Sequence, residues 1–597
     1  ILLVTFTRKA AQEMLERAEA LIGPRSQRVF GGTFHSVANT LLRRYGRVIG
    51  LNPGFTILDR GDAEDLLNFL RSDLGLSEKE RRFPRKATIA EMFSKCENTL
   101  RALDDVVHEE FSHFSEHLED LGHLKVAYER TKRQRHLLDY DDLLVVLRGL
   151  LADHEEARRL IGGRFRSILV DEYQDTNRLQ AELVRKLAHG HDNVMVVGDD
   201  AQSIYAFRGA TFRNIMEFPT IFPGTTVYKL EENYRSTQPI LDLANQIMQA
   251  AADRYTKHLF TRKLDGPLPV LVEASGENTQ SRFVAQKILE LREEGVPLSE
   301  IAVLFRSSFH SFDLEIELSR RDVPFIKRGG FKFIETAHVK DLLAHLRVVA
   351  NPLDAVSWNR ALLLVEGVGP KKAQDLIAAV VKANDPLRRG VALLREVGGR
   401  AARGLKELAR VLDGLADGTG LSPAEQVNQI YGYYLPVLKE HYDDYPKRMR
   451  DLEHLYTMAE RYESVESFLA DLALEPPDQS IVDVEAGERE EARLVLSTIH
   501  SAKGLEWQCV FVIWVVDGRF PSAYAFLTDH DLEEERRLFY VAVTRAAQQL
   551  YLTYPMNVYD KATGSMLSKP TRFLDEVPPS LLETWSLVEE DSRDDWR

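Results

Sequence analysis

The feature that most constrains the fold is a set of short apolar runs, each of which ends in acidic residues. One run covers Ile168–Val170 and is followed by Asp171 and Glu172, and another covers residues 194–197 and is soon followed by Asp199. Runs without polar alternation are typical of strands that are buried on both faces of a parallel sheet. Because a helical pattern lies between the two runs, we predict an α/β fold whose ligands bind at the carboxyl ends of the strands.

The composition is that of a globular protein with several domains. The chain has 597 residues, which is more than one hydrophobic core supports. Its longest apolar stretch, residues 510–516, is far shorter than the ~20 residues that span a bilayer, so we expect no membrane segment. The two cysteines, Cys96 and Cys509, lack partners at metal-ligand spacing, which indicates a reducing, cytoplasmic setting without a zinc site. A formal net charge of -15 excludes a surface that attracts nucleic acid everywhere, so any such contact must be local.

Helical and α/β patterns alternate along the chain, and they predict two α/β domains, each interrupted by a helical insertion. The predicted segments are 1–58 and 139–232 for the first domain, 59–138 for its insertion, 233–350 and 491–580 for the second domain, 351–490 for its insertion, and 581–597 for an acidic tail. A Pro476-Pro477 linker and an acidic run at 488–491 mark the end of the second insertion.

Asp171 and Glu172 follow the carboxyl end of a buried strand, which is where α/β sheets bind ligands. In a P-loop hydrolase the first carboxylate holds Mg²⁺, directly or through water, and the second accepts a proton from the attacking water. A bare Asp-Glu pair is a short motif, and taken alone it is more often a solvated strand end. The interpretation of this pair therefore depends on its neighbours.

The segment 198–210 places an amide, two aromatic rings and a guanidinium just beyond the next strand end. Gln202 is suited to sensing a phosphate. Tyr205, Phe207 and Arg208 are suited to stacking on bases and contacting a nucleic-acid backbone. Base stacking contributes ~1 to 3 kcal/mol per base and tolerates any sequence. Taken alone, the two aromatic residues are more often part of a core, so both interpretations stay open on the residues alone.

Seven short blocks that carry such residues follow one another along the chain. They are residues 5–11, 32–36, 171–175, 198–210, 230–236, 496–506 and 534–546. In this order the blocks resemble the motifs of the UvrD/Rep branch of superfamily 1 helicases. The likeness runs from residue 1 to about residue 575, and chance agreement of seven ordered blocks is negligible.

The resemblance implies two RecA-like parallel-sheet domains, each with a mainly helical inserted subdomain, with ATP between them and single-stranded DNA across them. It implies an ATP-dependent 3'-to-5' single-stranded DNA translocase and DNA helicase that acts in DNA repair or replication restart, with ATP and Mg²⁺ as cofactors. The expected partners are single-stranded DNA, DNA with a 3' single-stranded tail, and repair or replication proteins. The expected location is the bacterial cytoplasm, in association with the nucleoid.

The resemblance also assigns roles around the nucleotide. The implied catalytic residues are Asp171, which would hold the metal, Glu172, Gln202, Arg235 and Arg545. The two arginines are implied to neutralise charge in the transition state, an effect of ~10³ to 10⁵ in rate where it has been measured. An arbitrary arginine more often forms a surface salt bridge. The residues implied to bind the nucleotide are Asp171, Gln202, Arg235 and Arg545 together with Tyr234 at the adenine, Glu506 at the ribose, and Gly504.

A second set of residues is implied to contact DNA by stacking and by backbone contact, without choice of sequence. Its members are Phe6, Thr33, His35, Tyr205, Phe207, Arg208, Thr498, His500, Gly367 and Gly369. The two glycines belong to a loop at 366–372 that could equally be a plain helix cap. A basic run, Lys79, Arg81, Arg82, Arg85 and Lys86, could line a duplex, although a solvated face is the more frequent explanation of such runs.

The family normally carries a Gly-x-Gly-Lys-Thr phosphate-binding loop before the first of these blocks, and residues 1–597 contain no such segment. Without backbone amides and a lysine around the β- and γ-phosphates, we expect hydrolysis by these residues alone to collapse. Because the chain starts inside a strand and without Met, we expect that upstream residues are missing. The alternative is a non-hydrolysing DNA-binding scaffold of the same fold.

Overall fold

The computed structural model describes most of the chain. The described residues are 1–6, 8–58, 60–76, 83–252, 254–328, 336–417, 420–442, 444–460, 462–465, 468–469, 472, 493–556, 558–560 and 565–587. They form two compact units, here called unit 1 (residues 1–231, 248–258 and 529–540) and unit 2 (232–247, 259–528 and 541–597). The linker at 476–477, the acidic run at 488–491, the tail from 589 onwards, and Lys79, Arg81 and Arg82 of the basic run lie outside the described residues.

Unit 1 is built on a parallel sheet. Its strands are β1 (Leu2–Thr5), β2 (Phe30–Thr33), β3 (Thr56–Ile57), β4 (Leu137–Leu138), β5 (Ile168–Val170) and β6 (Val194–Val196). Among the described residues, the main sheet has four strands in the order β2-β1-β5-β6, all parallel, while β3 and β4 form a separate parallel pair. The carboxyl ends of β1, β2, β5 and β6 therefore lie along one edge, where the first four sequence blocks begin.

The helices of unit 1 form two groups. Those that cover the main sheet are Arg8–Ile22, Phe34–Tyr45, Tyr140–Asp153, Glu155–Arg164, Arg178–Leu187, Arg213–Met216 and Phe218–Ile221. Those between β3 and β4 are Arg60–Asp73, Lys86–Thr99, Leu103–Glu110 and Leu118–Gln134, and they bury a core of their own around Leu67, Met92 and Leu124. Fully burying one such side chain contributes ~1.5 to 3 kcal/mol. The helix Asp529–Val543 also begins in unit 1.

Strand β6 differs from the prediction that both faces of the apolar runs are buried. In β5, Ile168 and Val170 on one face are buried, and Leu169 on the other face is half-buried. In β6, however, Met195 is 59% exposed, and Val197 just beyond the strand is also exposed. These side chains are exposed because, within the described sheet, β6 is an edge strand that pairs only with β5.

Unit 2 is built on a larger parallel sheet. Its strands are β7 (Val270–Ala274), β8 (Ile301–Phe305), β9 (Phe325–Arg328), β10 (Leu494–Thr498), β11 (Trp507–Val512), β12 (Ala546–Pro555), β13 (Val558–Asp560), β14 (Ser565–Leu567) and β15 (Glu583–Ser586). In the described part of the chain, seven of them form one parallel sheet in the order β15-β7-β12-β11-β8-β10-β9, and β13 pairs antiparallel with β14. All five residues of the central strand β8 are buried, in agreement with its apolar sequence.

Strand β15 lies in the segment that the sequence analysis assigned to an acidic tail. Glu583–Ser586 pair in parallel with β7 at the edge of the sheet. Trp585 packs against the sheet core and contacts the ring of Tyr551 at 6.1 Å between centroids. Backbone pairing with β7 and the apolar surface of Trp585 together hold this short, otherwise polar strand on the sheet.

The helices of unit 2 are Glu277–Glu293, Phe312–Arg320, Ala337–Ala350, Ala355–Leu363, Pro370–Val381, Pro386–Glu396, Ala402–Asp417, Pro423–His441, Tyr445–Ala459 and Ile499–Ala502, and Gln238–Gln249 begins in this unit. From Ala337 to Ala459 the described chain is helical and without strands, and it buries two apolar clusters, one around Leu452 and one around Trp358. The domain bounds derived from the sequence stay a prediction. Among the described helices, none combines the length and the apolar character that a membrane span requires.

Candidate active site

The two carboxylates that follow β5 lie at a sharp turn. The backbone N–H of Asp171 donates to the carbonyl oxygen of Val4 at 2.9 Å, which extends the pairing of β5 with β1 by one residue. Glu172 then adopts a left-handed conformation with φ of 53°. For a residue other than glycine such a conformation costs of order 1 kcal/mol and often marks a functional site. Burial and the neighbouring Glu172 charge raise the pKa of Asp171, because both disfavour its ionised form. A divalent cation such as Mg²⁺, which binds carboxylate oxygens, would stabilise that ionised form.

Gln174 connects this turn to the end of β6. Its Nε2 donates to Glu172 Oε2 at 2.5 Å, and its Oε1 accepts from the backbone N–H of Asp199 at 3.0 Å. Gln174 is completely buried. The side chain of Gln174 lies so close to the backbone of Gly198 that a Cβ at residue 198 would be 2.3 Å from Gln174 Oε1. Glycine is therefore required at this position. The amide thereby sets the position of Glu172 relative to the loop that carries Gln202.

The side chain of Gln202 is hydrogen-bonded to Asp199, and Asp199 forms an ion pair with Lys257. Gln202 Nε2 donates to Asp199 Oδ2 at 2.9 Å, and Asp199 Oδ1 accepts from the backbone N–H of Ala201 at 3.0 Å. Lys257 Nζ forms a close ion pair with Asp199 and lies 3.3 Å from Asp200 Oδ1. Burial by itself raises the pKa of Asp199, but the charge and hydrogen bonds of Lys257 outweigh it, so the pKa is lowered and Asp199 is ionised at neutral pH.

Three aromatic rings, here called the aromatic face, pack together where this loop meets Phe6 at the end of β1. Phe6 stacks on Tyr205, with 5.6 Å between ring centroids and an interplanar angle of 14°. Tyr205 in turn contacts Phe207, at 6.0 Å and 58°. Phe207 is 55% exposed, so it is not a core residue, and a further flat ring can approach it. Arg208 ends the 3-10 helix Ala206–Arg208, and its side chain lies outside the described part of the structure.

Thr33 and His35 lie at the carboxyl end of β2. Thr33 caps the helix Phe34–Tyr45, because its side chain accepts from the backbone N–H of Ser36 at 3.3 Å. The ring of His35 meets Tyr140 edge-on, with 6.0 Å between centroids. Burial lowers the pKa of His35, so the imidazole is neutral at neutral pH.

In unit 2, three sequence blocks converge on Arg235. Its Nε forms a close ion pair with Glu506, and its Nη1 donates to the carbonyl oxygen of Thr544 at 3.3 Å. The neighbouring Tyr234 is 75% exposed, which leaves its ring open to a flat partner. Arg545, by contrast, is 1% exposed, and its Nη1 donates to the carbonyl oxygen of Leu505 at 3.1 Å. An arginine held in this way must leave its carbonyl partners before it can reach an anion.

Comparison with known proteins decides the family. Residues 1–223 match the UvrD/REP helicase N-terminal domain, and residues 228–391 and 403–557 match the UvrD-like helicase C-terminal domain. The chain belongs to the UvrD-like helicase family. It is 31% identical over 617 aligned residues to the ATP-dependent DNA helicase PcrA of Staphylococcus aureus (strain NCTC 8325), which covers 98% of this chain and 81% of that protein. PcrA of Staphylococcus epidermidis (strain ATCC 12228) is 32% identical over 603 residues, which cover 98% of this chain and 80% of that protein.

These matches confirm two predictions, the family and the α/β architecture with large parallel sheets. The protein is therefore an enzyme of the helicase class. In this UvrD-like helicase, the structure places Asp171, Glu172 and Gln202 together in unit 1, linked by the hydrogen bonds of Gln174 and Asp199. It places Tyr234, Arg235, Glu506 and Arg545 in unit 2.

The remaining predicted residues of the UvrD-like helicase lie at turns and helix starts of unit 2. Thr498 caps the helix Ile499–Ala502, in which His500 is half-buried. Gly504 has φ of 84° and open space where a Cβ would project. Gly369 caps the helix Pro370–Val381, and Gly367 has φ of 82°. The positive φ angles of Gly367 and Gly504 favour glycine, so backbone geometry accounts for these two residues. The contact of all five residues with their predicted ligands stays a prediction.

Besides Gln174 and Asp199, two residues of the UvrD-like helicase site were given no role from the sequence. Lys257 holds Asp199 and Asp200, and Glu534 accepts from the backbone N–H of Ala206 at 3.0 Å, beside the aromatic face. Glu534 opens one of the seven blocks, which was a signal available in the sequence. Lys257 lies 58 residues from Asp199, in a segment without any of the recognised blocks, so no local pattern pointed to it.

Proposed function

We propose that this protein is an ATP-dependent, 3'-to-5' single-stranded DNA translocase and DNA helicase that acts in DNA repair or replication restart. The observation that carries the proposal is the hydrogen-bonded path from Glu172 through Gln174 and Asp199 to Gln202, on the loop that also presents the aromatic face. This path supports the proposal because it links the residues assigned to hydrolysis with the rings assigned to base stacking. The ATP-dependent DNA helicase activity of the PcrA relatives supports the same assignment.

On the nucleotide side, we assign Glu172 as the base that accepts a proton from the attacking water. Asp171 is the residue that would hold Mg²⁺, which supplies charge neutralisation at the phosphates when it is bound. Gln202 is assigned to the terminal phosphate of ATP. Arg235 is assigned to the charge that develops in the transition state, and Arg545 to the same role once its side chain leaves its carbonyl partners.

On the DNA side, the aromatic face is suited to single strands rather than to duplex. Bases in a single strand expose their faces, and stacking on Phe207 requires no particular base. This agrees with the overall charge of -15, which does not favour general attraction to phosphates and leaves local contacts to hold the DNA. The direction of movement and the role in repair or restart rest on the resemblance to the family.

The decisive experiment replaces the proposed base. In the full-length protein, Glu172→Gln keeps the size of the side chain and its hydrogen bond with Gln174 but removes the proton acceptor. We expect ATP turnover in the presence of single-stranded DNA to fall by roughly 10² to 10⁴, with DNA binding retained. Turnover is measured by phosphate release and binding by fluorescence anisotropy.

The matched control is Glu155→Gln, which makes the same change at an exposed position in the first turn of the helix Glu155–Arg164. This variant should hydrolyse ATP at the normal rate. If Glu172→Gln also turns over ATP nearly normally, the assignment of the base is wrong. If the wild-type protein binds single-stranded DNA but never hydrolyses ATP, the protein is a DNA-binding scaffold and the proposed function fails.

A further inference from the structure

Residues 254–258 form a short arm that is fastened to the loop carrying Gln202. The arm follows the helix Gln238–Gln249 and belongs to unit 1. The backbone N–H of Tyr255 donates to Asp200 Oδ2 at 3.1 Å, and the Tyr255 hydroxyl donates to the carbonyl oxygen of Ile215 at 3.1 Å. The arm is thus attached to the start of the loop and to the helix Arg213–Met216 that follows it, which limits the positions that its other side chains can adopt.

Lys257 is the charged residue of this arm that faces the loop. Its side chain is 19% exposed, and its ammonium group contacts Asp199 and Asp200 together. It also lies over the ring of Tyr540, at 5.8 Å from the centroid. Burial by itself lowers the pKa of Lys257, but the two carboxylates outweigh it and raise the pKa, so the ammonium stays charged at neutral pH.

Without Lys257, the negative charges of Asp199 and Asp200 would have no positive charge beside them within the described part of the chain. Asp200 is almost fully buried. The two carboxylate oxygens of Asp199 accept hydrogen bonds from Gln202 Nε2 and from the backbone N–H of Ala201. If the ammonium were removed, two carboxylates would lie next to the amide that is assigned to the terminal phosphate, which is itself an anion. Their repulsion would weaken phosphate binding, and Asp199 would lose the partner that fixes its orientation.

We propose that Lys257 is a positioning residue for the terminal phosphate of ATP: it neutralises Asp199 and Asp200 and fixes Asp199, which in turn orients the amide of Gln202. The inference rests on the proposed function, because it takes Gln202 as the group that meets this phosphate. This role predicts a difference between the effects of a Lys257 variant on ATP binding and on ADP binding. A residue that acts on the terminal phosphate affects ATP, whereas ADP, which lacks that phosphate, is unaffected.

The test measures the binding of a non-hydrolysable ATP analogue and of ADP to the full-length protein, with wild type, Lys257→Met and Lys257→Arg. For Lys257→Met we expect affinity for the ATP analogue to fall roughly 10-fold to 100-fold, the range for a hydrogen bond to a charged group. Affinity for ADP should change less than about twofold. Lys257→Arg keeps the charge and should restore most of the affinity for the analogue.

A second variant separates charge from packing. If Lys257 acts by neutralising Asp199, adding Asp199→Asn to Lys257→Met removes one repelling charge and should recover part of the lost affinity for the analogue. The matched control is Lys287→Met, at a lysine of similar exposure, 18%, which pairs with Glu290 on the helix Glu277–Glu293. It should leave both affinities unchanged.

The outcomes distinguish this inference from the proposed function. If wild type binds the ATP analogue and hydrolyses ATP, but Lys257→Met loses affinity for the analogue and for ADP equally, Lys257 has only a structural role and the inference is overturned. Unchanged affinities in Lys257→Met overturn it as well. If wild type itself neither binds the analogue nor hydrolyses ATP, the proposed function fails first.

Discussion

At the scale of single residues, exposure separates two interpretations of the loop at 198–210 that the sequence leaves open. An aromatic residue in a core is buried, whereas one that stacks on a ligand keeps part of its ring accessible. Ile204 is completely buried and anchors the loop, while Phe207, three residues later, is 55% exposed. Phe207 is therefore available for stacking, and its packing on Tyr205 holds the ring in a defined orientation.

Phe207→Ala should weaken the binding of single-stranded DNA to the full-length protein by roughly 5-fold to 100-fold, because it removes a stacking partner worth ~1 to 3 kcal/mol per base. Poly(dT) and poly(dA) should be affected alike if the ring does not select bases. Fluorescence anisotropy measures both affinities. Phe69→Ala is the matched control, since Phe69 is 58% exposed and lies on the helix Arg60–Asp73. Equal losses in the two variants would show that Phe207 has no special role.

At the scale of helices and strands, patterns formed by residues close together in the sequence predicted the elements correctly in the following two cases. The run Ile301–Phe305 is a buried central strand, and the helix after residue 177 begins where a polar cap precedes an apolar periodicity. Features that depend on distant residues were not predictable in this way. The exposure of β6 depends on which strand lies beside it. Lys257 and Asp199 are 58 residues apart in the sequence and come into contact only in the folded protein.

A buried charge cluster links two helices where the insertion of unit 1 returns to the sheet. Lys132, near the end of the helix Leu118–Gln134, lies 2.6 Å from Asp139 Oδ2 and 2.6 Å from Asp142 Oδ2. Asp139 and Asp142 also form the capping box of the helix Tyr140–Asp153. Lys132 is 5% exposed, so the cluster is largely shielded from water. Burial and the charge of Asp139 raise the pKa of Asp142 to about 6, and Lys132 acts in the opposite direction by stabilising the ionised carboxylate.

Lys132→Met should lower the free energy of unfolding by ~3 to 5 kcal/mol, because it leaves two buried carboxylates without their cation. Urea unfolding followed by far-UV circular dichroism measures the change at neutral pH. Lys86→Met serves as the control, since Lys86 pairs with Asp65 at the surface and should leave the unfolding midpoint unchanged. A midpoint for Lys132→Met that matches wild type would mean that the cluster contributes nothing to stability.

At the scale of the whole molecule, tryptophan fluorescence reports on one unit separately from the other. Trp596 is one of five tryptophans and lies outside the described residues. The other four, Trp358, Trp507, Trp514 and Trp585, all belong to unit 2. Their emission therefore follows the unfolding of unit 2, even if the two units unfold in separate transitions. This makes it possible to test groups that connect the helices of unit 2 to its sheet.

His454, on the helix Tyr445–Ala459, is such a group. Its ring packs on Phe309 and Phe312, at 6.1 and 5.5 Å between centroids. The groups that face it are Glu277, with Oε1 at 3.6 Å from Nε2, and the charges of Arg519 and Asp451. Burial is the largest effect and, with Arg519, lowers the pKa of His454 to about 4, against an ordinary value of 6.5. The ring is therefore neutral in the folded protein at neutral pH, and its contact with Glu277 is not an ion pair.

Because the folded pKa of His454 lies below the unfolded one, only the unfolded state takes up the proton as the pH falls from 6.5 towards 4. Stability is complete above about pH 6.5 and is lost progressively through this range, by about 2 kcal/mol between pH 7.5 and pH 5 for this residue. Urea unfolding monitored by tryptophan fluorescence should show that loss for wild type and for His441→Gln, a control at an exposed histidine of unit 2. In His454→Gln the difference between the two pH values should shrink by about 2 kcal/mol. An unchanged difference would mean that His454 binds its proton equally well in the folded and unfolded states.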